Sequence, residues 1–358
     1  MKQFISISCL FLCFSLATCL SMGQAGDIKR SKELLSLPQY HRHALQQTKP
    51  CLAFEKTDDA EGWQKKLRAK LTEILCLPDK WDRDVNSDVV FKEKTKDYTS
   101  YSVNFRAEQK AVVPGYLLKP RKTNPPFPVM ICLQGHRKGG MCVSIGQKKT
   151  RNDLDFAIQA VQNGWAALAI EQRGFGERAA PSCSHEALNA LMLGKTLLGE
   201  RVFDVMRAID FIRTQPDLDM ERIGCMGNSM GGTVAFYAAC VDPRIRLAVV
   251  SCSFCTYADS WMKFPHCACG YLPGILQYAD MGDIGGLIAP RSLVIVAGKY
   301  DPIASLSGVR KAFERTNSVF SAMGYEKNLF LLIGDGGHKF YPDLAWPKIS
   351  AIKNRWKP

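Results

Sequence analysis

Two rhythms of apolar and polar residues divide this chain. Residues 88–94, 98–107 and 110–118 alternate apolar with polar side chains, the period of strands that show one face to a core and the other to water. This predicts an antiparallel meander. Past the proline-rich stretch 120–128, short unbroken apolar runs take over at 129–133, 165–170, 223–226, 247–250, 293–297 and 329–333. Stretches at helical spacing separate most of them, at 154–162, 187–213, 233–240, 306–315 and 344–354. Strands apolar on both sides must be covered on both sides. The pattern therefore predicts an α/β protein with a mostly parallel, doubly wound sheet and an antiparallel N-terminal extension. Further upstream, Trp63, Leu67, Leu71 and Leu75 share one face of a helix predicted over 58–77, with Asp58 and Asp59 suited to its start.

Composition changes this picture only a little. Of the 358 residues, 46% are hydrophobic, enough for a large core and too many for a disordered chain. The formal charge of +13 would suit an anionic partner, but no helix-turn-helix, zinc-finger or RNA-binding pattern accompanies it. The expectation is a solvated basic surface and no nucleic acid. Residues 1–25 read as an export signal, with Lys2, an uncharged apolar run over 4–20 and small residues after it. No later run is long enough to cross a bilayer. The expected location is periplasmic or extracellular. Leu16-Ala17-Thr18-Cys19 faintly matches a lipoprotein cleavage site, so a lipid-anchored form stays open. Setting aside Cys9, Cys13 and Cys19 leaves 11 of the 14 cysteines, an odd number that does not describe a disulfide scaffold.

The candidate chemistry begins at Gly227-Asn228-Ser229-Met230-Gly231, between the apolar run 223–226 and the apolar helix 233–240. A serine hydroxyl is a poor nucleophile unless a base can reach it at an exposed, sharply turned tip. Such a turn tolerates only small residues two positions to either side. The N–H of Met230 would then sit at a helix N-terminus, where it can face a developing oxyanion.

In chain order, Gln134-Gly135-His136, Glu171-Gln172-Arg173-Gly174-Phe175-Gly176-Glu177, the serine turn, Ile288-Ala289-Pro290-Arg291, Gly298-Lys299-Tyr300-Asp301-Pro302 and Gly337-His338 resemble an α/β-hydrolase. The likeness is greatest to the exported bacterial branch near acetyl xylan esterases and dienelactone hydrolases, and it spans residues 110–345. It implies an α/β-hydrolase fold with a lid insertion at about 252–290, and the chain then divides into a signal over 1–25, a helical extension over 26–84 and a catalytic unit over 85–358. It implies a triad in the order Ser229, Asp301, His338, with the acid and the histidine on loops after successive strands. Asp335 is the rival acid. The oxyanion donors would be the backbone N–H groups of Met230 and His136, with Gln134 standing where the family usually has histidine. Arg173 is expected to order loops by pairing with a carboxylate.

The lid carries Trp261, Phe264 and Tyr271, expected to line the substrate pocket. It also carries Cys252, Cys255, His266, Cys267 and Cys269. Zinc is set aside, because one residue separates Cys267 from Cys269 where structural zinc pairs usually have two. A lid disulfide and free thiols both stay open. The expected activity is hydrolysis of carboxylic esters through an acyl-enzyme, without cofactor or metal, on a small-molecule or polysaccharide ester. Acetylated carbohydrate comes first. A peptidase or amidase with the same triad, and a non-catalytic carbohydrate-binding protein on this scaffold, are the alternatives.

Overall fold

Each unbroken apolar run forms a parallel strand, and each alternating stretch an antiparallel one. The computed structural model describes residues 36–56, 59–148 and 153–356, so the export signal expected over 1–25 lies outside the described residues. The chain divides into two compact units, Met1–Gln47 and Thr48–Pro358. In the first, the described structure is helix α1 (Leu37–Gln47), which buries none of its residues.

The second unit runs α2 (Ala60–Ile74), β1 (Asp88–Lys94), β2 (Tyr98–Glu108), β3 (Ala111–Pro120), β4 (Phe127–Leu133), α3 (Phe156–Gln162), β5 (Ala166–Ile170), α4 (Cys183–Met192), α5 (Leu197–Arg213), β6 (Leu218–Asn228), α6 (Met230–Val241), β7 (Ile245–Ser251), α7 (Met281–Gly285), β8 (Ser292–Gly298), α8 (Leu306–Ala322), β9 (Leu329–Gly334) and α9 (Pro342–Lys353). The strands form one sheet in the order β1-β2-β3-β5-β4-β6-β7-β8-β9. Pairing is antiparallel from β1 to β5 and parallel from β5 through β9. The chain passes from β4 to one side for β5 and then to the other for β6. That reversal opens a crevice beyond the carboxyl ends of the strands.

Strands β4, β5 and β8 are buried along their whole length because both faces of the sheet are covered there. By contrast β1, at the sheet edge, is exposed at every residue, so the alternating stretch 88–94 turns no face to the core. In β4, Phe127, Val129, Ile131 and Leu133 enter the core beneath α2, α5, α6 and α8, while Met130 and Cys132 enter the core beneath α3 and α9. In β8, Leu293, Ile295 and Ala297 take the first side and Val294 and Val296 the second. Each of the Val, Leu, Ile, Phe and Met side chains among them contributes roughly 1.5–3 kcal/mol on burial. Helix α2 docks by its apolar face and by polar contacts: Gln64 donates to Gly286 O at 2.7 Å and Arg68 to Leu287 O at 2.8 Å.

The single helix expected over 187–213 is two. Gly194, at φ 68°, turns the chain after α4, and the Thr196 hydroxyl accepts from Gly199 N–H at 3.0 Å to cap α5. Helix α5 then runs buried along almost its whole length, and its Asp210 is a tie point. That carboxylate, fully buried, meets Trp81 Nε1 at 2.8 Å, Arg83 at 3.0 Å, Arg207 at 2.9 Å and Arg244 at 2.6 Å. Burial would raise its pKa, but hydrogen bonds from Arg244 and Trp81 outweigh this and hold it below the usual range. Asp210→Ala strands the buried Arg207 guanidinium and should cost about 3–5 kcal/mol. Urea unfolding followed by circular dichroism measures it, and a loss under about 1 kcal/mol would contradict the account.

Candidate active site

Ser229 stands between β6 and α6 at φ 57°, ψ −128°, a conformation that non-glycine residues rarely adopt. The glycines beside it show why the turn is so tight. A Cβ on Gly227 would come within 2.3 Å of the Gly231 carbonyl carbon, and one on Gly231 within 2.3 Å of Leu133 O. The strain is held by its surroundings. Ser229 N–H donates to Ser251 O at 2.9 Å, Thr233 N–H donates to Ser229 O at 2.9 Å, and the Ser251 hydroxyl donates to Asn228 Oδ1 at 2.8 Å.

The loops after β8 and β9 are braced together, with Lys299 N–H on Gly334 O and Tyr300 N–H on Gly336 O. They bring Asp301 Oδ2 to 2.8 Å from His338 Nδ1, while Ile303 N–H donates to Asp301 Oδ1 at 3.0 Å. The Asp301 side chain is 2% exposed. Asp335 points away, 93% exposed, with Lys299 3.9 Å off. Burial separates the two carboxylates, and Asp301 is the one beside the imidazole.

Sequence reasoning placed Cys252 among the lid cysteines and missed its position beside Asp301 and His338. Its sulfur, Asp301 and His338 each present an atom within 4.8 Å of the others. Burial, reinforced by Asp301, pushes its thiol up to about 12, so it stays neutral and donates to Lys339 O at 3.2 Å. The available signal was its place at the carboxyl end of β7, where crevice residues collect.

Ser229 opens on a pocket of about 190 Å³ lined also by His136, Met230, Cys252, Trp261, His266 and Ile303. The stretch 252–290 supplies much of its wall. Trp261 stacks on His266 with ring centroids 4.3 Å apart, and burial lowers the His266 pKa, keeping that ring neutral at pH 7. Phe264 and Tyr271 are not among the lining residues. Tyr271 instead buttresses Trp261 from behind, edge-on at 5.1 Å, with its hydroxyl donating to Trp261 O.

The loop after β4 lies against the serine turn, since a Cβ on Gly135 would meet Asn228 O at 2.7 Å and Ser229 Cβ at 3.0 Å. Gln134 is buried and tied inward, donating to Leu154 O at 2.8 Å, and Gln172 donates to its carbonyl. The His136 side chain reaches the lid, with Nε2 3.3 Å from Cys269 Sγ. Desolvation would lower its pKa, but hydrogen bonds to the Cys183 and Cys267 sulfurs raise it to about 9. No described cysteine is bonded to another in this structure.

Two side chains of the segment after β5 tie neighbouring parts of the chain together, Arg173 to β2 and α5 and Glu171 to the loop after β4. Arg173 pairs with Glu108 at 2.8 Å, Glu200 at 2.9 Å and Asp204 at 3.0 Å. Glu171 accepts from the N–H groups of Met141 and Glu177, yet burial lifts it from 4.5 to about 7. Its folded-state value lies above the unfolded one, so the stabilisation belongs to the protonated form and is lost as pH rises from about 4.5 through 7. Glu171→Gln should therefore flatten the fall in stability between these limits. Denaturant midpoints across that range test it, and parallel curves for the two proteins would refute it.

A sequence profile described as the Abhydrolase family matches residues 30–321. The chain belongs to this family. Among relatives of this Abhydrolase, the protein named hydrolase YtaP in Bacillus subtilis is 26% identical over 260 residues, covering 69% of this chain and 84% of that one. Acetyl esterase Axe7A of Xylanibacter ruminicola is 23% identical over 225 residues, 60% of this chain and 48% of the relative. A Bacteroides fragilis structure described as an acetyl xylan esterase superposes with a TM-score of 0.72 at 19% identity, over 86% of this chain and 84% of the other. At that identity the likeness speaks for the fold, the α/β-hydrolase fold, and the protein is a hydrolase built on it. Among its described residues, no helix is long and apolar enough to cross a membrane.

Proposed function

We propose that this Abhydrolase is an exported serine esterase that removes small acyl groups, acetyl first, from carbohydrate. The observation that carries the reading is the 2.8 Å pair of a buried Asp301 carboxylate with His338, on the same strand-end crevice as the strained Ser229. Ser229 Oγ attacks the ester carbonyl carbon and its proton passes to His338 Nε2. Asp301 keeps Nδ1 protonated and stabilises the imidazolium. The oxyanion is held by the backbone N–H groups of Met230 and His136. Collapse expels the alcohol, which takes the proton from His338, and water then repeats the sequence on the acyl-enzyme to release the acid.

The modest pocket volume supports a small acyl group, and the Trp261–His266 stack offers an aromatic wall for a sugar ring. The names of Axe7A and of the Bacteroides fragilis structure support acetyl esters. Export rests on the residue pattern of 1–25. The test is a panel of acetylated sugars, feruloyl esters and aminoacyl amides, together with fluorophosphonate labelling mapped by peptide mass spectrometry. Acetyl-sugar turnover with label on Ser229 is expected. Preference for the amides would make the protein a peptidase, and absence of both turnover and label would make it a binding protein.

A further inference from the structure

We propose that His136, Cys183, Cys267 and Cys269 form a structural zinc site that fastens the lid to the loop beside Ser229. One ligand atom from each lies within 4.8 Å of all the others, and His136 Nε2 is already 3.3 Å from Cys269 Sγ. A tetrahedral zinc with bonds of about 2.0–2.3 Å sets its donors roughly 3.5–3.8 Å apart, so closure needs shifts of an ångström or less. Three thiols and one imidazole are a complete structural set with no position left for water. One residue separates Cys267 from Cys269, so this pair cannot be the whole of a site by itself. The set is completed by residues from elsewhere, His136 after β4 and Cys183 at the first turn of α4.

Arg201 supplies an independent reason to place negative charge here. It is fully buried, pairs with no carboxylate among the described residues, and its Nη1 lacks a hydrogen-bond partner. Its remaining donors go to Arg173 O and to Cys183 Sγ, the latter at 3.1 Å. The Phe175 ring faces the guanidinium at 4.4 Å, but no anion among the described residues does, and a buried guanidinium without one is costly. Zinc with three thiolates and a neutral histidine carries a net charge of −1, which would answer it directly. The surroundings also orient the donors. The Ser184 hydroxyl is 3.1 Å from Cys267 Sγ, and the His136 ring packs edge-on against Phe175 at 5.1 Å. His136 and Cys267 both line the pocket that Ser229 opens on. The metal would therefore set the spacing of pocket wall and serine turn without touching substrate.

Metal analysis of untagged protein, purified without chelating resin, tests this apart from any activity. One zinc per chain is expected, falling to near zero in Cys269→Ser and Cys183→Ser and unchanged in the exposed-cysteine control Cys51→Ser. Should the serine variants fail to fold, cobalt substitution of the wild type gives the second readout. A thiolate-to-cobalt charge-transfer band with the intense visible bands of tetrahedral cobalt supports the site. Metal-free protein whose peptide map shows a disulfide among Cys183, Cys267 and Cys269 overturns it. So does protein whose three thiols alkylate freely and which gives no cobalt spectrum.

Discussion

Ser229→Ala should lower kcat/KM for an acetyl ester by at least about 10⁴-fold while leaving the fold intact. The loss is large because, in the proposed mechanism, the hydroxyl is the atom that forms the acyl-enzyme. Without it only pocket binding and the oxyanion donors remain to assist water. The fold survives because alanine keeps the Cβ and asks nothing new of a turn already held at φ 57° by Ser251 O and Thr233 N–H. Initial rates on the two proteins, with matched thermal midpoints as the folding control, decide it. A folded Ser229→Ala protein with near-wild-type turnover would remove the serine mechanism altogether.

Asp301→Asn should cost about 10²–10⁴-fold in kcat, and Asp335→Asn only a few-fold. The direction follows from the hydrogen bonds around Asp301. Ile303 N–H donates to Oδ1, so an asparagine there keeps its oxygen on that side. Its NH₂ then faces His338 Nδ1, 2.8 Å away in the wild type, and forces the ring proton onto Nε2. A histidine protonated at Nε2 cannot accept the serine proton. Asp335 is exposed to water and its distant Lys299 partner adds little, so its loss should be mild. Should the two variants rank the other way, the acid has been misassigned.

What could be read ahead of the structure was whatever depends on burial alone. Each strand run predicted from the apolar pattern falls on an observed strand, because residues covered on both sheet faces cannot be polar. Boundaries were less legible. Helix α8 continues to Ala322 where helical spacing was expected to end at 315, since tertiary packing of Val319 and Phe320 sustains it. The break at Gly194 was legible in principle, because a left-handed glycine followed by a threonine cap is a local signal.

The chain by itself determined which residues lie at strand ends, hence the order of Ser229, Asp301 and His338 along one crevice. That is local information: alternation, apolar runs and glycines write burial and turns into neighbouring positions. The tertiary structure alone decided which strand-end residues meet. It set Asp301 rather than Asp335 against His338, put Cys252 beside them, and left Phe264 and Tyr271 off the pocket lining. It also brought His136 onto Cys269 across 133 residues of chain. Contacts of that kind depend on how separate loops land at one edge of a sheet, and no spacing within any one of those loops records where the others will come to rest.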